Sequence, residues 1–432
     1  MNKVHYESIN ETIYKETLDN GLTVALLPKQ EMSKTFAIFA TNYGSIDSNF
    51  VPINQDESIH VPEGIAHFLE HKLFEKEDRD VFQDFGKQGA SANAFTSFTT
   101  TAYLFSATEH IKQNVETLIN FVQDPYFSHE SVEKEKGIIA QEITMYDDQP
   151  DWRSFMGIIK NMFKDHPVHI DIAGTVDSIQ DITKDDLYTC YETFYHPENM
   201  TLFVAGNFDV EEIAELIQAN QTQKEFSKPS EIKRFYPEEP IEVHEKKKVV
   251  HMPVSIPKCI IGVKEFGNEI GADQLLEKEI LLDMLLDYFY SRGGTFYQEL
   301  YQNDLIDSSF SAESNVEKNF GFTIIGGNTN DIERFEKTLK DQLLRIKDIE
   351  VTNEEFEILK KKKIGEMLRS MNSLEFIATQ FIHYHALDID IFEIIPMIEN
   401  LTKADFDVFM KNWIDEERLS TFQILQDETN VG

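Results

Sequence analysis

His67-Phe68-Leu69-Glu70-His71, with Ile65 and Ala66 before it and Leu73 after it, is the stretch from which the rest of the chain is read. Residues three and four apart share one face of an α-helix, so His67, Glu70 and His71 project together. Ile65, Ala66, Phe68, Leu69 and Leu73 form the opposite, apolar side. That pattern predicts a helix over 64–75 with one face in a core and the other lining a site. Two imidazoles on adjacent turns suit one Zn²⁺, held through neutral ring nitrogens, while the glutamate beside them stays free to take a proton. The H-x-x-E-H spacing therefore supports amide hydrolysis, with zinc-bound water attacking the scissile carbonyl and Glu70 as general base. The competing reading is a solvated helix that carries two histidines and an incidental ion pair.

A catalytic zinc site wants three protein ligands and one open position. The segment Glu133-Lys134-Glu135-Lys136-Gly137-Ile138-Ile139-Ala140-Gln141-Glu142-Ile143 has helical character. Glu135 and Glu142, seven residues apart, fall on one helix face, about 10 Å apart along the axis. Glu142 is placed to reach the metal, with Glu135 orienting a histidine from behind. A Glu/Lys-rich run is otherwise a charged surface helix.

H-x-x-E-H followed downstream by E-x-x-x-x-x-x-E resembles the pitrilysin/insulinase family of zinc metallopeptidases, which includes the mitochondrial processing peptidase. Gly89-Ala90-Ser91-Ala92-Asn93-Ala94-Phe95-Thr96, then Thr101-Ala102-Tyr103, resembles the family's edge strand against which substrate lies. Gly174-Thr175 and Phe194-Tyr195-His196-Pro197-Glu198-Asn199-Met200, running into Leu202–Gly206, resemble the signature near the end of its first domain. The similarity spans most of the first 210 residues, is mainly architectural thereafter, and is closest to the short bacterial members. It implies His67, His71 and Glu142 as zinc ligands, Glu70 as catalytic base and Glu135 as supporting carboxylate. It also implies Ala92, Asn93, Ala94 and Phe95 as substrate-binding. Physically, an exposed edge strand binds an extended peptide by main-chain hydrogen bonds. For Asn93 the alternative is a side chain satisfying its own backbone.

The chain has 432 residues and 41% hydrophobic content, enough for two cores. A polar, Pro-interrupted stretch at 226–250, with Lys228-Pro229-Ser230 and Pro237-Glu238-Glu239-Pro240, reads as a linker. It separates an expected catalytic domain, 1–225, from a domain of similar fold without metal, 251–432. The order of elements repeats. A strand at 36–40, the motif helix, a helix near 78–88, a strand over 94–107 and a helix at 109–122 are echoed by Ile260–Val263, a helix at 274–291, Thr295–Gln302, strands near 307–314 and 319–326, and a helix at 330–346. The expected fold is α+β: two homologous domains, each a mostly antiparallel sheet with helices packed on one face.

The second copy's helix, beginning Gln274-Leu275-Leu276-Glu277, contains no histidine, so one zinc per chain is expected. In the family this half often supplies an arginine and a tyrosine that bind substrate and stabilise the oxyanion. Here those positions read as Tyr301 and Ser308, with Arg292 and Tyr297 as alternatives at a different spacing. A missing oxyanion donor is worth about 2–4 kcal/mol. The expectation is a catalytic subunit paired with a homologous subunit lacking H-x-x-E-H, or with a second copy. A non-catalytic scaffold subunit is the alternative.

A formal net charge of −37 disfavours nucleic acid and anionic membrane surfaces and permits basic peptides. No run of about 18 apolar residues is present, and the N-terminus lacks a signal-peptide pattern. Two isolated cysteines, Cys190 and Cys259, fit a reducing compartment and buried structural thiols. The expected setting is cytoplasmic. His60, His110, His129, His166, His169, His196, His251, His383 and His385 lack partners at ligand spacing and read as structural or surface residues.

Overall fold

The computed structural model describes residues 1–7, 9–226, 231–265 and 271–427. Lys228-Pro229-Ser230 of the expected linker lies outside them. The contacts separate two units. Unit 1 comprises Met1–Thr144, Ile170–Tyr236 and Leu368–Phe392, and unit 2 comprises Met145–His169, Pro237–Met367 and Glu393–Gly432. The long-range division between Tyr236 and Pro237 falls within 226–250, but the continuous stretches 1–225 and 251–432 each give one helical segment to the other unit.

Unit 1 is built on strands β1 (Asn2–Tyr6), β2 (Glu11–Thr17), β3 (Thr23–Pro28) and β4 (Thr35–Thr41), a two-residue pair β5 (Asn49–Phe50) and β6 (Ile59–His60), then β7 (Ser91–Thr96), β8 (Thr101–Ala107) and β9 (Met200–Gly206). The main sheet runs β1-β2-β3-β9-β4-β8-β7, antiparallel except for the β3–β9 pair. The single strand expected over 94–107 is thus a hairpin, its chain reversing at Ser97–Thr100, where Ser97 N–H donates to Thr100 O. Periodicity runs on through such a short turn, which hid it. The helices of unit 1 include α1 (Ile65–Phe74), α2 (Phe82–Lys87), α3 (Ile111–Val122), most of α4 (His129–Asp147), α6 (Lys184–Phe194) and α7 (Val210–Thr222), while α5 (Pro150–Met162), which follows α4 in the chain, belongs to unit 2.

Unit 2 has β10 (Lys247–Met252), β11 (Lys258–Glu265), β12 (Ser311–Val316), β13 (Gly321–Asn328) and β14 (Leu419–Gln426), in the order β10-β14-β11-β13-β12. This is the pattern of β3-β9-β4-β8-β7, down to the one parallel pair, β10 with β14. Its helices include α8 (Ala272–Tyr290), α9 (Thr295–Gln302), α10 (Ile332–Arg345) and most of α11 (Asn353–Ser370), while the next helix in the chain, α12 (Leu374–Ala386), belongs to unit 1. Helix α8 stands in chain order where α1 stands in the first copy.

All seven residues of β4 and of β9 are buried. Alternate residues of a strand face opposite sides, so both sides of this sheet need cover. Ala37, Phe39, Leu202 and Val204 join the core with α1 and α3. Phe36, Ile38 and Phe203 face the other way, and the exchanged helix α12 packs there, with the Phe203 and Phe381 rings 4.6 Å apart. In unit 2 the exchanged helix α5 does the same on β11 and β14. The approach is so close that a Cβ on Gly157 would meet the Phe422 ring at 2.4 Å. Among the described residues no helix is long and apolar enough to cross a membrane.

Candidate metal centre and active site

Helix α1 starts from Gly64, whose φ of +86° is left-handed and whose missing Cβ would lie 2.3 Å from Ala173 O. Ser178 Oγ donates to Glu63 O at 3.0 Å. The Gly174-Thr175 segment thus serves as the stop against which α1 is set. Phe68, Leu69 and Leu73 are fully buried beneath it, which leaves His67, Glu70 and His71 on the other face.

The structure brings His67, His71 and Glu142 together. One ligand atom from each lies within 4.8 Å of the other two, and among the described residues this is the one such group of His, Cys, Asp or Glu. Glu142 Oε1 is 3.8 Å from His67 Nε2, and its Oε2 is 3.5 Å from His71 Nε2. Ligands bonded tetrahedrally to zinc at about 2.0–2.1 Å lie about 3.3 Å apart, so two nitrogens and a carboxylate at these separations fit the ion with little adjustment. The His67 Nδ1 atom is buried without a hydrogen-bond partner, which leaves Nε2 to define what the ring does.

The two imidazoles stand in opposite electrostatic surroundings. Burial, then the neighbouring His71, push the pKa of His67 down to about 3, so its ring is neutral and able to ligate. Burial also acts to lower His71, but its hydrogen bond to Glu135 and the nearby Glu70 and Glu142 carboxylates outweigh it and raise the pKa. Glu135 Oε1 meets His71 Nδ1 at 3.1 Å. Burial opposes the charge of Glu135, yet His71 and then Lys72 hold its pKa below the usual carboxylate value. Glu70 is nearly buried, and burial raises its pKa against the opposing hydrogen bond from Thr96 Oγ1, 2.8 Å from Oε2. Glu135 therefore contacts His71 and not the point on which the three groups converge, and Glu70 stands beside those groups with one oxygen held by Thr96.

A cleft of about 530 Å³ opens here, lined among others by Glu70, His71, Phe74, Phe82, Asn93 and Ala94. The Phe74 and Phe82 rings stack in its wall at 4.1 Å. Strand β7 is the outer strand of the sheet, so among the described residues its far edge has no strand partner. Of the four residues expected to bind substrate, Asn93 and Ala94 line the cleft, Ala92 packs on the core and Phe95 is half-buried. Asn93 Oδ1 accepts from Ala94 N–H at 3.0 Å, the local backbone contact that was its alternative reading.

Sequence reasoning placed Thr96 on the edge strand without its contact to Glu70, and assigned no role to Lys72. Thr96 lies within the segment read as edge strand, but only folding shows which way it faces. Lys72 had a visible signal, a charge on the apolar flank of α1. In unit 2, Tyr301 is exposed and stacked on Tyr297, with centroids 6.2 Å apart, and Ser308 lies exposed in the turn before β12. The remaining histidines show local roles where contacts are visible: the Nδ1 atoms of His166 and His196 each accept a backbone N–H two residues on. Cys190 and Cys259 are buried free thiols whose pKa values burial pushes up to about 12.

A duplicated α+β fold with an H-x-x-E-H helix and a downstream glutamate meeting at metal spacing defines the class: the architecture of inverted-motif zinc peptidases. The chain belongs to the M16 family, the pitrilysin/insulinase zinc peptidases, as a short bacterial type. Residues 60–176 match the insulinase (peptidase family M16) model, and residues 181–363 match the model of the peptidase M16 inactive domain. It is 49% identical over 422 residues, 98% of each chain, to the uncharacterized zinc protease YmfH of Bacillus subtilis. A second protein of that bacterium, the uncharacterized zinc protease YmxG, is 26% identical, over 72% of this chain and 75% of its own. The crystal structure of an M16-like peptidase from Alicyclobacillus acidocaldarius superposes with a TM-score of 0.93 at 38% identity, covering 96% of this chain and 99% of that one. A protease from Helicobacter pylori, 20% identical with a TM-score of 0.80 over 95% and 99% of the two chains, shares the fold.

Proposed function

We propose that this chain is a zinc-dependent endopeptidase acting on peptides and unfolded segments. The observation that carries this is the convergence of His67, His71 and Glu142 at ligand spacing, with Glu70 beside them in a cleft bordered by an open strand edge. A bound Zn²⁺ would supply Lewis acidity toward a carbonyl and acidify water there. His67 and His71 would hold it through Nε2, and Glu142 through its carboxylate. Glu70 takes the proton from the attacking water and returns it to the leaving nitrogen, and Thr96 aims the carboxylate during both transfers. Glu135 holds His71 in the tautomer that leaves Nε2 free. The edge of β7 offers its backbone to an extended peptide, which gives loose sequence preference and a need for unfolded substrate.

Tyr301 stands at the arginine position and Ser308 at the tyrosine position, so the guanidinium is missing at the first and the phenol at the second. Our reading is therefore a catalytic subunit completed by a homologous subunit without H-x-x-E-H, or by a second copy. The match of residues 181–363 to a domain described as inactive supports a second half without metal chemistry. Two buried free thiols fit a cytoplasmic setting.

The test is incubation of the purified, zinc-loaded chain with a mixed pool of unstructured peptides, read by mass spectrometry, with Glu70→Gln as the blank. Cleavage above the blank is the expected result if the chain suffices alone, and the products give its preference. Zinc bound without cleavage, with activity appearing on addition of a homologous subunit, supports the paired form. Neither zinc nor cleavage overturns the reading in favour of a scaffold subunit.

A further inference from the structure

The side chain of Lys72 has no exposed surface, although it directly follows the ligand His71 on the otherwise apolar flank of α1. An ammonium withdrawn from water is costly unless it is paired and hydrogen-bonded. Its Nζ donates to the carboxylate of Glu75 and lies 3.5 Å from the backbone oxygen of Ser131 and 3.9 Å from Glu135 Oε2. Glu75 caps the C-terminus of α1, whereas Ser131 and Glu135 belong to α4. The other oxygen of Glu135 meets His71 Nδ1. The carboxylate is thus held between an ammonium and an imidazole, one facing each oxygen. Helix α1 carries His67 and His71, and α4 carries Glu142.

We propose that Lys72 is a positioning residue of the metal centre: it braces α1 against α4 and fixes Glu135 on His71, so that His71 Nε2 faces Glu142 and zinc affinity depends on a buried charge that is not itself a ligand. Without the ammonium, Glu135 Oε2 loses its cation and the carboxylate is free to swing away from the imidazole. The ring then loses the contact that sets its orientation and tautomer. A methionine at 72 keeps most of the volume and none of the charge, so packing and positioning separate experimentally.

This rests on the zinc-site reading but not on peptidase activity, and the experiment uses zinc affinity. The full chain, Lys72→Met, Lys72→Arg, Glu135→Gln and the Lys72→Met/Glu135→Gln double variant are titrated with zinc against a competing chelator, without peptide. Lys72→Met is expected to weaken zinc binding about tenfold to a hundredfold, the range for supporting residues of metal sites. Lys72→Arg recovers most of that loss. In the Glu135→Gln background Lys72→Met costs nothing further, because the group through which it acts is already neutral. A folded Lys72→Met protein that binds zinc like the wild type, or that loses as much again in the Glu135→Gln background, overturns the proposal. If Lys72→Met does not fold, Lys72→Gln takes its place in the same cycle with the same expected and overturning results. A chain that binds zinc in this pattern yet cleaves no peptide would overturn the peptidase reading while supporting this one.

Discussion

Units 1 and 2 repeat one five-strand pattern and both hold charged side chains against it, yet Lys264, Glu239 and Glu265 of unit 2 are matched within the protein, whereas His67, His71 and Glu142 of unit 1 converge where a cation fits. In unit 2, Lys264 donates to Glu239 at 2.6 Å, and Glu239 also accepts the backbone N–H groups of Lys164, Asp165 and His166. Glu265 accepts from Trp413 Nε1 at 2.6 Å and Thr323 Oγ1 at 3.1 Å, and pairs with Lys278. In unit 1, two imidazoles and the Glu142 carboxylate face one another with ligand atoms clustered within 4.8 Å. A closed network ties the core of one copy together. An incomplete one in the other leaves a place for a metal. The same architecture therefore serves as scaffold or as site, according to which buried polar groups are left without internal partners.

The comparison breaks most sharply at a ligand. His67→Ala is expected to reduce bound zinc from one equivalent per chain to none and to abolish cleavage, measured by elemental analysis and peptide digestion. Zinc retained at one equivalent by that variant would mean that His67 is not a ligand. The next largest effect belongs to unit 2. Lys264→Met leaves Glu239 buried without its ammonium, and about 3 kcal/mol of stability should be lost, the lower end for breaking a buried pair because three backbone donors remain. Urea unfolding reads this change, and zinc affinity should not move with it.

A smaller change sharpens the contrast inside unit 1. Thr96→Val removes the hydroxyl that holds Glu70, a hydrogen bond to a charged group worth about 1.5–3 kcal/mol. Cleavage should slow by roughly tenfold or more through kcat, with zinc content unchanged. A KM effect alone would show that Thr96 contacts substrate instead.

The smallest expected effect is on acid stability. Burial opposes ionisation of Glu239, but hydrogen bonds from the backbone and Lys264 hold its pKa below the ordinary value of 4.5. A carboxyl whose folded pKa is depressed contributes stability above its unfolded pKa and loses it as pH falls through the folded one. Glu239→Gln should therefore flatten the decline of stability with acid below about pH 4.5. A slope identical to wild type in urea unfolding from pH 5 to 3 would show that Glu239 carries none of it.

Much of this arrangement is legible in the chain itself. Helical spacing places His67, Glu70 and His71 on one face, and the apolar residues between them dictate which face is buried, because both follow from the 3.6-residue turn. The same arithmetic puts Glu135 and Glu142 together on α4. The absence of histidine from α8 is equally plain. The hairpin of β7 and β8 was less legible, since alternation of apolar residues persists across a tight turn and hides the reversal.

The sequence by itself determined the chemistry on offer: two imidazoles, a carboxylate beside them and a distant glutamate, on helices whose faces are set by local periodicity. The tertiary structure decided what those groups meet. It brought Glu142 to the histidines across 71 residues of chain, placed Thr96 on Glu70 and buried Lys72 between Glu75 and Glu135. It also sent α5 and α12 to the unit formed mainly by the other half. The reason is physical. Periodicity tells a strand that both its faces are apolar, but any amphipathic helix satisfies that demand. Only the closed chain selects which helix covers which sheet, and so which polar groups are left to bind a metal.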